Sequence, residues 1–270
     1  MSTRAKSSSK NFLTRINIRF PWLKLVATVV VGVLIILNLL DVTVPKLDDL
    51  SDNFPTTPMS KHSKATERIL EGKKLVALTF DDGPFPDTTP RLLDILTEKD
   101  AIATFFSLGL MARSHPDILK RAFYEGHEIA SHTMYHQNLN SITPGAVESD
   151  VNEATAVIKS IIGRTPALTR PPYGAYNQNV LDYTKTPLIL WSVDPQDWLI
   201  RDPTSIINIA MSQVHDGAII LMHDIYPTSV EAVPTLIDTL RENGYEFTTV
   251  SELAKIRGLK LAPKNAYRNF

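Results

Sequence analysis

Apolar residues follow two periods along this chain. Seven short runs are apolar and β-prone: KLVALTF (74–80), ATFFSLG (103–109), EIASH (128–132), ALTRPPYG (167–174), PLILWSVD (187–194), GAIILMHD (217–224) and EFTTVSEL (246–253). Each predicts a strand. Between them, apolar residues recur three and four apart, the helical spacing. TTPRLLDILTEKD (88–100) carries Pro90 in its first turn, and a second helix follows Pro116 and stops at Gly126. The clearest helix has Thr143 as its cap, Pro144 at its first position and Gly163 at its end. Val147, Val151, Ala154, Ile158, Ile161 and Ile162 make its apolar stripe. Asp202-Pro203 opens a helix to about Val214, and SVEAVPTLIDTLRENG (229–244) forms another. Apolar strands alternating with helices imply an α/β fold of parallel strands covered by helices. Seven strands suggest a distorted or incomplete (β/α) barrel, with an open doubly wound sheet as the alternative. No Gly-x-Gly-x-x-Gly follows a strand, which removes the simplest dinucleotide site.

The first seventy residues break this rhythm. Residues 25–40, LVATVVVGVLIILNLL, are almost wholly apolar, and the stretch from Pro21 to Val44 is long enough to cross a bilayer. Residues 1–24 hold six bases and no acid, which leaves 22 bases against 29 acids in the remainder. That asymmetry predicts a cytoplasmic basic segment (1–20), a single transmembrane anchor (21–44) and a body outside the membrane. The alternative is a cleaved signal peptide, but NLLDVTVPKL offers no small-x-small cleavage site. Residues 45–71 read as a polar, proline-containing extracellular linker, 72–256 as the folded body, and 257–270 as a short basic tail expected to fray. An acidic body argues against nucleic acid as a partner. The absence of cysteine excludes disulfides, thiolate metal sites and cysteine nucleophiles. No Asn-x-Ser/Thr sequon occurs, which fits a bacterial source. Nothing in the sequence points to a protein partner.

The chemistry collects where the predicted strands stop. The first ends in Asp81-Asp82-Gly83-Pro84, the third at His132, the fourth in Arg170-Pro171-Pro172-Tyr173-Gly174, the fifth in Asp194 with Asp197 and Trp198 behind it, and the sixth in His223-Asp224. In parallel α/β architectures these ends share one face, the one that carries active sites. A His-x-x-x-His pair is uninformative alone. At a strand end, however, His132 and His136 can point at one spot, and Asp82 would complete a His/His/Asp set. Three nitrogen and oxygen ligands with open positions suit a catalytic zinc, and the same set suits non-haem iron. His62, His115, His127 and His215 lie in the linker, before a helix proline, or before strands at the opposite end. Asp194 can tie down its loop, and Asp224 reads as structural.

Five motifs at these strand ends, TFDDGP (79–84), HTMYH (132–136), RPPYG (170–174), DPQDW (194–198) and LMH (221–223), resemble those of the carbohydrate esterase family 4 polysaccharide deacetylases, the NodB-homology group. They occur in family order across about 75–255. The resemblance implies a metal-dependent deacetylase with a barrel-like fold and one divalent ion, Zn2+ by preference and Co2+ as an alternative. It assigns Asp82, His132 and His136 to the metal, Asp81 to general base, and His223 to general acid supported by Asp197. Arg170 would orient Asp81, the Tyr173 N–H would meet the oxyanion, Trp198 would wall the sugar groove, and Leu221 would line the acetyl pocket. With the body outside a bacterial cell membrane, the implied partner is a cell-wall glycan, peptidoglycan through its N-acetylglucosamine residues. Chitin oligomers, other poly-N-acetylglucosamine and acetylxylan are alternatives, and a noncatalytic glycan-binding protein is the distant one.

Overall fold

The computed structural model describes residue 70 and residues 72–270. The basic segment, the anchor and nearly all of the linker lie outside the described residues. Among the described residues no helix is long and apolar enough to cross a membrane.

Strand β1 (Lys74–Asp81) is the axis of the fold. It pairs in parallel with β5 (Ala218–His223) on one side. On the other it pairs with β6 (Tyr245–Phe247) at its start and β2 (Thr104–Ser107) at its end. Strand β3 (Glu128–Ser131) follows β2, again in parallel. The sheet then continues by thin links: Ser131 bridges to Thr169, Thr169 to Leu188 in β4 (Leu188–Ile189), and Val193 back to Ile220 in β5. The pairing therefore runs round a ring, a distorted barrel and not the open doubly wound sheet.

Alternation along the strands sorts the core. Val76, Leu78 and Phe80 of β1, Phe105, Ile129, Ala218, Ile220 and Met222 face outward. They pack under helices α1 (Thr89–Glu98), α3 (Pro116–Tyr124), α4 (Pro144–Ile162), α7 (Pro203–Gln213) and α8 (Pro227–Glu242). Leu75, Ala77, Phe106, Ala130, Leu168, Ile189 and Ile219 form a second cluster on the barrel side. Continuing that second register upward brings Asp81, His132, Arg170 and His223 to the same interior end.

Several predicted elements change. Residues 167–174 hold one bridging residue, Thr169, and then a single 3-10 turn at Pro172–Gly174. Two prolines in succession remove the N–H donors that a longer strand needs. Residues 246–253 are strand only at the start; Thr249 and Glu252 form a reciprocal capping box that opens α9 (Val250–Ile256). Two six-residue helices, α2 (Gly109–Ser114) and α5 (Gln178–Tyr183), are too short for periodicity to reveal. The tail does not fray: β7 (Ala266–Tyr267) pairs in parallel with β4, and the Phe270 N–H donates to the Gly217 carbonyl.

Candidate active site

Asp81 is the last residue of β1, and its side chain is buried against Arg170. Arg170 is itself fully buried, and its placement is over-determined. Its Nη1 donates to Asp81 Oδ1 at 2.7 Å and to Thr79 Oγ1 at 2.8 Å, its Nε to the Ile189 carbonyl, and its Nη2 to the Leu190 carbonyl. The guanidinium also lies 3.9 Å over the Phe106 ring. Burial pushes the Asp81 carboxyl above its ordinary range, while the Arg170 charge opposes that push.

Asp82 leaves the strand with φ 80, a left-handed conformation that Asp tolerates better than most residues. This turn sends its carboxylate away from Asp81, so neighbours in sequence serve different surroundings. Asp82 Oδ1 lies 3.5 Å from His132 Nε2 and 3.4 Å from His136 Nε2. It is buried and has no hydrogen-bond partner.

His132 follows β3, and its Nδ1 meets the Arg170 carbonyl at 2.8 Å. A carbonyl only accepts, so the proton sits on Nδ1 and Nε2 keeps its lone pair. Burial lowers the His132 pKa to about 3 despite the nearby Asp82 charge, so the ring is neutral. A lone pair therefore faces a bare carboxylate oxygen, an arrangement that a cation bound between them would satisfy. The candidate ligand atoms of Asp82, His132 and His136 all lie within 4.8 Å of one another. Two imidazoles and one carboxylate are a donor set for a divalent transition metal, so these residues fit the group that the sequence implied.

His223, the last residue of β5, stands on another side of the cleft. Its Nδ1 is 2.8 Å from Asp197 Oδ1, while its backbone N–H donates to Asp197 Oδ2, also at 2.8 Å. Ser229 adds a bond to Asp197 Oδ2 at 2.6 Å. Burial alone would lower the His223 pKa. The hydrogen bond to Asp197 and its charge, with Asp81 and Asp82 behind, raise it to about 9, so the ring is a cation at neutral pH. Asp197 begins a short helix, α6 (Asp197–Ile200), which also carries the half-exposed Trp198.

These groups line one cleft of about 450 Å³ together with Tyr173, Trp191, Asp194, Leu221 and Tyr226. The structure brings all ten residues singled out in the sequence together: eight line the cleft, Asp197 bonds His223, and Arg170 bonds Asp81 and His132 from behind. Tyr173 is exposed, with φ 62 and its ring 4.8 Å from that of His136. Gly174 behind it lies so close to Trp191 that a Cβ would come within 2.9 Å of the ring. Asp194 accepts from the Gln196 N–H, which ties its loop, yet also faces the cleft. Of the remaining described histidines, His127 is buried and accepts from the Ala103 N–H.

Sequence reasoning missed Thr79, Trp191, Tyr226 and Ser229. Thr79 carried a signal, being a polar residue in the inward register of an apolar strand. Ser229 had none, because it reaches Asp197 only through the tertiary fold.

The chain matches the family described as polysaccharide deacetylase over residues 69–186. It is 39% identical over 191 residues to the peptidoglycan-N-acetylmuramic acid deacetylase PdaC of Bacillus subtilis, covering 71% of this chain and 41% of PdaC. Against the peptidoglycan-N-acetylglucosamine deacetylase PgdA of Listeria monocytogenes it is 38% identical over 180 residues, covering 67% and 39%. The chain thus spans about two fifths of the length of these two relatives. Among solved structures, a T48 deacetylase with substrate superposes with TM-score 0.70 at 42% identity, covering 72% of this chain and 96% of that one. A family 4 acetyl xylan esterase from Clostridium thermocellum in complex with a cobalt ion also gives TM-score 0.70, at 32% identity and with 73% and 98% covered.

Proposed function

This chain belongs to the polysaccharide deacetylase family, and from that premise we propose that it hydrolyses N-acetyl groups from a cell-wall glycan, releasing acetate and a free sugar amine. The observation that carries the reading is the bare, buried Asp82 Oδ1 between two imidazoles, beside the Asp81–Arg170 pair and across the cleft from cationic His223.

Asp82, His132 and His136 would hold one divalent ion, zinc by preference and cobalt as an alternative. Such an ion supplies acidification of water and polarisation of the acetyl carbonyl. Asp81, kept oriented by Arg170, takes the proton from the attacking water; burial makes it a stronger base than a solvated Asp. The Tyr173 N–H meets the negative charge that develops on the carbonyl oxygen. His223 delivers its proton to the departing amine nitrogen, and Asp197 holds it charged until then. Leu221, buried at the cleft floor, accepts the acetyl methyl, and Trp198 offers a flat face to the sugar. Water adds across the C–N bond, so the products balance as acetate and amine.

N-acetylglucosamine of peptidoglycan is the substrate put forward, supported by the similarity to PgdA. The nearly equal similarity to PdaC supports a second reading, N-acetylmuramic acid. The apolar run at 25–40 and the basic head support a membrane anchor with the body on the outer face.

The test is acetate and free-amine release by the full chain from purified peptidoglycan, with EDTA and with zinc or cobalt restored, followed by mass analysis of which sugar lost its acetyl. Metal-restored release that is abolished in Asp81→Asn supports the mechanism. Release from chitin oligomers or acetylxylan alone keeps the chemistry and discards the substrate. Undiminished activity in EDTA contradicts the proposal.

A further inference from the structure

Two buried carboxylates that take no part in this chemistry stand directly behind the two ligand-bearing loops. Asp224 follows His223 and is fully buried. It accepts from Thr89 Oγ1 at 2.6 Å through Oδ2, and its carbonyl accepts from Thr88 Oγ1. The Gly83 N–H faces the same carboxylate. Contact there is so close that a Cβ on Gly83 would come within 2.0 Å of Asp224 Oδ2. Gly83 is the residue after Asp82, whose own φ is 80.

Asp150 plays the matching part behind the other loop. It is the one acid in the buried stripe of α4, among Val147, Val151, Ala154 and Ile158. Its Oδ1 accepts the Met134 N–H at 2.6 Å. Met134 lies midway between His132 and His136, in a loop where Thr133 and His136 have φ 70 and 54. The value at Thr133 is costly for a β-branched residue, so contacts from outside the loop are needed to hold its backbone. The Thr133 hydroxyl and the Tyr135 N–H face the same Asp150 carboxylate. Apolar packing does not explain a buried acid at either place, whereas anchoring loop backbone N–H groups does.

We infer that Asp224 and Asp150 are positioning residues for the metal centre, each clamping the backbone of one ligand loop: Asp224 that of Asp82, and Asp150 that of His132 and His136. The inference rests on the metal-site reading above. Neither residue touches the ion, the substrate or the reacting atoms. Their effect is to hold three ligand atoms in place before the ion arrives, so the metal binds without first ordering two strained turns.

The test is zinc affinity of the full chain, measured by competition with a chromogenic chelator, beside the thermal midpoint of the metal-free protein. Asp224→Ala and Asp150→Ala are expected to weaken zinc about 10–100-fold, the usual scale for groups that orient ligands. Asp150→Asn, which keeps an oxygen for the Met134 N–H, should recover most of the loss. Thr89→Val removes the hydroxyl that donates to Asp224 and accepts the Phe85 N–H, and should weaken zinc a few-fold even if the alanine variants do not fold. A lowered metal-free midpoint with unchanged zinc affinity would make both acids ordinary packing residues and overturn the inference. Wild-type protein that binds neither zinc nor cobalt would instead overturn the metal-site reading beneath it.

Discussion

The cleft sets two aspartate–histidine pairs facing different tasks, and they end in opposite states. At the Asp82 side, His132 is buried, donates through Nδ1 to a carbonyl, and stays neutral with a pKa of about 3. At the Asp197 side, His223 gives its Nδ1 to a carboxylate and is held protonated, with a pKa of about 9. Burial lowers both rings, and only at His223 do a carboxylate at Nδ1 and the nearby Asp81 and Asp82 charges overcome it. A carbonyl fixes a tautomer without adding charge, whereas a carboxylate stabilises the imidazolium. The first arrangement makes a metal ligand and the second makes an acid.

Variants can break each half in turn. Asp81→Asn keeps the shape of the metal side but removes its base, and kcat should fall by about 10²–10⁴-fold, read from initial rates of acetate release. Arg170→Met leaves Asp81 buried without its cation, and the cost is about 3–5 kcal/mol of stability, read by denaturant unfolding. On the acid side, Asp197→Asn withdraws the charge that raises His223. Activity that needs the protonated ring disappears as pH rises through its pKa, so the alkaline limb should move from about 9 toward the ordinary 6.5. The same group affects stability. Its folded pKa lies above its unfolded one, so its contribution is fully present below about 6.5 and is lost as pH rises through about 9. In Asp197→Asn that pH-dependent loss should shrink. The smallest effect belongs to Ser229→Ala, which deletes one bond to Asp197 and should cost about 1 kcal/mol, read by denaturant unfolding.

Much of this was legible in the sequence because it depends on alternation. Once KLVALTFD is a strand with Leu75 and Ala77 inward, Thr79 and Asp81 must be inward as well, and GAIILMH delivers Leu221 and His223 by the same count. The N-caps at Thr143 and Asp202 were readable for a similar reason, since each side chain bonds a backbone N–H three residues on. What stayed hidden depends on tertiary approach. No local pattern says that Thr169 alone would carry the sheet from β3 to β4, or that Phe270 would return to Gly217. Asp150 lies between the two cases: an acid inside an apolar helical stripe is a visible anomaly, but its partner Met134 is sixteen residues away.

The most direct measurement is the protonation state of the two imidazoles, read by long-range proton–nitrogen NMR on the full chain from about pH 5 to about pH 10. His132 is expected to stay neutral throughout with its proton on Nδ1, and His223 to be doubly protonated at neutral pH, losing its proton only toward the alkaline end. A His223 already neutral at pH 7, or a His132 that protonates in this range, would contradict this assignment.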